Sequence, residues 1–312
     1  MRPAIQLYSL RELDEPLPTV LERVAEAGYE GVEFANRVRE ADLAAVEAAL
    51  DRTGLVPVGA HVDLRALEGA FEEAIAPCAE LGCPDVVVPH LSAAQFRTPA
   101  RVDAIAARLR AIDDELADRD VRLHYHTQSY EFRPLSNPGV LGRLCTAINP
   151  DPGPDHGRSL SQRTKRTGGL LGDALYERLS GRQQREYSTV DETAFARLID
   201  GLPQTVGVQI DTGAVAAAGF DPVTILERVG ARPLSLHLAD VVVEERGPTA
   251  TPRSVEAGEG VLDIDAILAA AHRSDVDWVI YEHDDPPDPE TTLARGIDVL
   301  DGNRRERRSS YR

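Results

Sequence analysis

The sequence predicts an α/β protein built as a (βα)8 barrel with a long insertion after the fifth strand. Three observations carry this. Eight short runs rich in β-branched residues alternate with helical patterns along 312 residues. Most of these runs are continuously apolar, as parallel strands covered by helices are. None leads into a Gly-x-Gly-x-x-Gly turn or a phosphate loop, which argues against an open doubly wound sheet.

The first strand is "PAIQLYS" (3–9). The helix "TVLERVAEAGYEG" follows and stops on Gly28, which can take the left-handed conformation of a helix end. Strands two to four are "EGVEFA" (30–35), "VPVGAHV" (56–62) and "DVVVPH" (85–90). The helix "TPARVDAIAARLRAIDDEL" opens with Thr98 as N-cap and Pro99 in the first turn. Val102, Ile105, Leu109, Ile112 and Leu116 then form its apolar stripe. Strand five is "VRLHYH" (121–126), six "VGVQID" (206–211), seven "PLSLHLAD" (233–240) and eight "DWVIYEH" (277–283). Two later helices, "DPVTILERVG" and "DPETTLARGIDVL", share an Asp-Pro start.

Residues 133–190 break this rhythm. They are rich in Pro, Gly and Ser, locally basic from 158 onward, and read as an insertion in the fifth βα connection near the barrel mouth. One barrel domain is therefore expected over 1–303, with a frayed basic tail at 304–312.

Composition narrows the function classes. A formal net charge of -18 repels nucleic acid and anionic membranes. Lys165 is the sole lysine, an acidic and lysine-poor balance resembling that of proteins from salt-loving organisms. No apolar run reaches the roughly 18 residues of a membrane span. The N-terminus lacks the apolar core of a secretory signal, so a cytoplasmic location is expected. Cys78, Cys83 and Cys145 are read as buried thiols, because their spacing suits neither a disulfide framework nor a zinc ribbon.

In parallel barrels the active site lies at the C-terminal ends of the strands. Here those ends carry Gln6 and Tyr8, Glu33, His61, His90, His126 with Glu131 just beyond, Asp211, His237, and Glu282. Six of the eight histidines (61, 90, 124, 126, 237 and 283) lie at or beside them. Carboxylates and imidazoles gathered at one mouth need a positive charge between them, and mixed Asp/Glu/His donors suit manganese, cobalt, zinc or magnesium. Strands five to eight offer the best set, Glu131, Asp211, His237 and Glu282. Each has a plainer alternative: a loop carboxylate beside Arg133, a turn cap, a core imidazole and a partner for a nearby arginine. Tyr8, Glu33, His61, His90 and His126 are candidate substrate contacts, with Glu33 equally able to hold a histidine's tautomer. His124 is expected to point away from His126 and to be structural.

The segments "IQLYSLR", "GYEGVEF", "YHTQSYEF", "QIDTG", "LHLAD" and "YEHDDP" together resemble the sugar phosphate isomerase/epimerase family of the xylose isomerase-like TIM barrels. The resemblance covers 1–132 and 190–300. It implies one divalent metal held by a Glu after strand five, an Asp after six, a His after seven and a Glu after eight. Asp211, His237 and Glu282 match directly. At strand five, relatives read Tyr-His-Asn-His-x-x-Glu-Phe, whereas this chain has Thr127 and Gln128. His126 and Glu131 are thus rival ligands. Relatives often carry Lys-Asp after the strand-seven His, where this chain has Ala239-Asp240, which puts a phosphorylated substrate in doubt.

The implied activity is isomerisation or epimerisation of a sugar, keto-sugar or polyol through an enediolate, with Glu131 and Glu282 as the proton-transferring carboxylates. Alternatives on the same scaffold are a sugar or inositol-derivative dehydratase and a non-catalytic sugar-binding barrel. An endonuclease would need more ligands and a basic groove. Barrels of this family often form dimers or tetramers.

Overall fold

A computed structural model describes residues 1–135, 189–230, 232, 234–242 and 252–310. Eight parallel strands close into a barrel: β1 Arg2–Gln6, β2 Gly31–Phe34, β3 Val56–His61, β4 Asp85–Val88, β5 Arg122–His126, β6 Gly207–Asp211, β7 Leu234–Leu238 and β10 Trp278–Tyr281. Each pairs with its neighbour in the order β1-β10-β7-β6-β5-β4-β3-β2. Every strand expected from the sequence is present; β5 and β6 end where expected, and the other six stop one to three residues early at the polar end. That end is where the chain turns to face the mouth.

Strand seven differs in kind. The expected run to Asp240 divides after Leu238, and β8 (Asp240–Val242) pairs antiparallel with β9 (Arg253–Val255). Buried Asp240 shapes this ribbon. Its carboxylate accepts from the backbone N–H groups of Gly258, Gly260 and Leu262.

The helical layer follows the local signals. Among its helices are α1 (Leu17–Ala27), α2 (Leu43–Thr53), α3 (Leu64–Gly69), α4 (Phe71–Glu80) and α5 (Pro99–Leu116). Gly28 ends α1 at φ +106°. Thr98 caps α5 by accepting from the N–H of Arg101, and all five stripe residues of α5 are buried. Burying one such Leu or Ile contributes about 1.5–3 kcal/mol. The final helix extends over Pro289–Ser310, so the tail expected to fray at 304–312 is helical as far as Ser310.

The insertion at 136–188 lies outside the described residues, as do Cys145, His156 and Lys165. Its two flanks meet: Pro134 and Thr193 form an antiparallel bridge, and the N–H of Leu135 donates to the carbonyl of Glu192. Cys78 and Cys83 are buried free thiols. Among the described residues no helix is long and apolar enough to cross a membrane.

Inside the barrel, alternate residues stack in layers because strand side chains have a period of two. On β5, His124 and His126 therefore share the inward face, and the expectation that they point apart is wrong. Both are buried, one low and one high. Gly207 on β6 sits against the His124 ring, where a Cβ would lie 2.4 Å from Nε2. Gln209 and Asp211 continue that inward row upward.

Candidate metal centre

Strand register assembles the upper layer. Asp211 on β6 pairs with His237 on β7, and His237 pairs with Ile280 on β10, two residues before Glu282. His237 Nδ1 lies 2.6 Å from Glu282 Oε2. His126 Nε2 lies 3.7 Å from Asp211 Oδ2 and 3.8 Å from the same Glu282 oxygen. The His126 and His237 ring centroids are 4.9 Å apart at a steep angle. His126, His237 and Glu282 form a group whose donor atoms could share one cation.

Second contacts hold these side chains in place. Asp211 Oδ1 caps the following turn by accepting from the N–H of Ala214, which leaves Oδ2 facing His126. The turn-cap role and the site role thus fall on different oxygens of one carboxylate. Thr127, where relatives carry Asn, accepts from the N–H of Asp211. Gln128 reaches both His126 Nδ1 and the carbonyl of Pro89, each at 3.3 Å.

The electrostatics follow from burial and pairing. Burial alone would raise the pKa of Glu282, but His237 and His126 outweigh it and hold the carboxylate well below its usual range. Burial would lower that of His237, yet Glu282 and Glu33 raise it well above an ordinary imidazole's. Asp211 is pushed up to about 6, first by burial and then by Glu282 and Asp284, against the pull of His126. His126 Nε2 is buried without a hydrogen-bond partner among the described residues. Such an orphan facing two carboxylates fits a divalent-ion ligand, and two imidazoles with two carboxylates are donors such an ion accepts.

A cavity of about 650 Å³ opens above this layer, lined by His61, His90, His126, Asp211, Glu282 and Tyr8, among others. His61 stands on its wall, stacked 5.6 Å from His237. His90 and Tyr8 are at the exposed rim, where Arg11 lies 4.0 Å over the Tyr8 ring. Asp284 is also at the rim. His283 points elsewhere, its ring nitrogen contacting Ser254 and the N–H of Asp285.

Two residues read as site groups lie elsewhere. Glu131 belongs to a 3-10 turn, Ser129–Phe132, that carries its carboxyl to the outer side of β5. There it accepts a 2.5 Å hydrogen bond from Tyr125, whose outward position follows from its place between His124 and His126. Burial raises its pKa well above normal, against hydrogen bonds from Tyr125 and Gln128. In this structure the Glu131 carboxyl does not line the cavity, and on strand five it is His126 that faces Asp211 and Glu282. Glu33 does not line the upper cavity either. It is 1% exposed and lies beneath His237, with Nε2 of that ring 2.7 Å from its Oε2. In this arrangement its carboxylate faces His237 and His61, not the open cavity.

Gln209 was not anticipated. It donates to Glu33 Oε1 at 2.6 Å and contacts Ser235. The available signal was its place two residues before Asp211, on the same face.

A family profile described as xylose isomerase-like TIM barrel matches residues 21–153 and 174–302. A sugar phosphate isomerase/epimerase from Parabacteroides distasonis is similar over 96% of this chain and 93% of its own, at 15% identity and TM-score 0.66. The IolI protein, solved with a bound zinc atom, is similar at 14% identity and TM-score 0.67, covering 97% of this chain and 98% of its own. The probable 3-DHS dehydratase AsbF from Bacillus anthracis is similar at 14% identity and TM-score 0.61, over 96% and 98%. The comparison with curated proteins finds no match. At these identities the structural likenesses establish the fold alone.

Proposed function

The chain belongs to the xylose isomerase-like TIM barrel family, and from that premise we propose that it is a divalent-metal-dependent isomerase or epimerase of a sugar, keto-sugar or polyol. The observation that supports this best is the convergence of His126, Asp211, His237 and Glu282, from four adjacent strands, beneath one cavity. These four would hold one ion, with manganese, cobalt, magnesium and zinc all compatible with the donor set. Bound there, it supplies Lewis acidity towards a substrate oxygen.

The chain's own groups do the rest. Glu282 stays ionised and is the base we assign to the acidic C–H of the substrate. Both of its histidine contacts use Oε2, which leaves Oε1 for that proton. His61 and Tyr8 stand where they can orient hydroxyl groups, and His90 can close over the far end of a short polyol. A cavity of about 650 Å³ suits a molecule of that size. An epimer forms when a second acid protonates the opposite face of the enediolate. Return of the proton to the neighbouring carbon gives the aldose–ketose isomer.

The same base beside a β-hydroxyl would give dehydration, and a barrel that binds sugar without turnover is the remaining alternative. Metal analysis followed by a screen of keto-sugars and inositol derivatives at high salt tests the reading. About one equivalent of metal with interconversion of a keto-sugar or polyol is expected. Loss of water from the ligand would move the assignment to a dehydratase. Binding without turnover in metal-replete protein would leave a binding barrel.

A further inference from the structure

We propose that Glu33 is a positioning residue for His237: its carboxylate takes the Nε2 hydrogen and thereby commits Nδ1 to the cluster below the cavity. The inference rests on the reading of that cluster as a metal centre. Neutral imidazole carries one hydrogen, and the partner of one nitrogen decides whether the other offers a lone pair. His237 contacts carboxylates on both sides, Glu282 at 2.6 Å from Nδ1 and Glu33 at 2.7 Å from Nε2. Glu33 is in turn fixed from three other strands. Gln6 donates to Oε2 at 2.5 Å, Gln209 donates to Oε1 at 2.6 Å, and His61 Nε2 lies 3.1 Å from Oε2.

One rival arrangement has to be weighed. Glu33, His61 and His237 Nε2 could also share a cation. That lower group has one carboxylate, and two amide N–H groups already occupy its oxygens. A cation there would also force the hydrogen off Nε2. The upper group has two carboxylates and the unpartnered Nε2 of His126. Charge and hydrogen-bond capacity both put the ion above the ring and the carboxylate below it. A carboxylate behind a ligating histidine sets the ring's tautomer and raises its basicity, and losing it typically weakens metal binding by about 10–100-fold.

Two measurements on the full chain test this, with zinc alone as probe. In zinc-loaded protein labelled with 15N-histidine, His237 should show a slowly exchanging, strongly downfield Nε2–H and a metal-bound Nδ1. In chelator competition, Glu33→Gln should weaken zinc binding by roughly 10–100-fold at unchanged stoichiometry. Glu131→Gln, another buried glutamate, should stay within twofold of the parent. A structural role alone would lower stability and leave zinc affinity as it was, and an unchanged affinity in Glu33→Gln overturns the proposal. So does zinc on Nε2 of the parent protein, a result that needs no variant to fold. A second equivalent of zinc bound by Glu33 overturns it as well. Parent protein that takes up no zinc, manganese or cobalt overturns the metal-centre reading itself, and the inference falls with it.

Discussion

Glu131 and Glu282 each lie a short step beyond a barrel strand, one after β5 and one after β10, and both are buried. Yet their surroundings are opposite. Glu282 faces two imidazoles in the barrel mouth and is held ionised. Glu131 faces Tyr125 away from the mouth, where burial pushes its carboxyl well above the usual range. Residue type and distance from a strand end are therefore poor guides to a ligand. The partner that burial supplies decides whether a carboxyl becomes an anion or an acid.

The largest expected effect breaks this comparison directly. Glu282→Gln should slow exchange of the substrate's acidic hydrogen with solvent deuterium by about 10²–10⁴-fold. Glu131→Gln should leave that rate within a small factor. NMR of deuterium incorporation, with metal content measured in parallel, reads both. A slow Glu131→Gln variant that keeps its metal would return strand five's glutamate to the chemistry.

Next in size is metal retention. His126→Ala removes one of four converging donors and should weaken manganese or zinc affinity by roughly tenfold or more, measured by chelator competition. Equal affinity in that variant would leave strand five without a ligand.

A smaller effect sharpens the contrast through pH. Because the folded-state pKa of Glu131 is raised, the folded protein keeps a proton that the unfolded chain releases. Its contribution to stability is thus fully present below the unfolded-state value and is lost as pH rises above it. Glu131→Gln keeps an acceptor for Tyr125 without an ionisable group. Denaturation should show it more stable than the parent at neutral pH, by on the order of 1 kcal/mol, with the gap closing towards pH 4. A gap that does not change with pH would mean that Glu131 ionises normally in the folded state.

The smallest effect belongs to the rim. His90→Ala should raise KM several-fold and leave kcat within about twofold, since the imidazole touches the cavity at its exposed edge. A large fall in kcat would place His90 among the reacting groups.

Much of this was legible in the sequence because it is local. Continuous apolar runs located all eight barrel strands, and Thr98, Gly28 and the Asp-Pro starts located helix ends, since caps and periodicity act over a few residues. The convergence of Asp211, His237 and Glu282 was readable because each lies at or beside a strand end, and closing the barrel brings such ends together. Tertiary structure decided the rest. Glu131 sits five residues beyond His126 in a 3-10 turn, and the direction of that turn fixed which side of the wall received its carboxyl. The contact of Glu33 with His237 spans 204 residues and crosses the barrel interior from β2 to β7. No local pattern encodes a pairing of that kind, because only closure of the sheet puts opposite strands within hydrogen-bond reach.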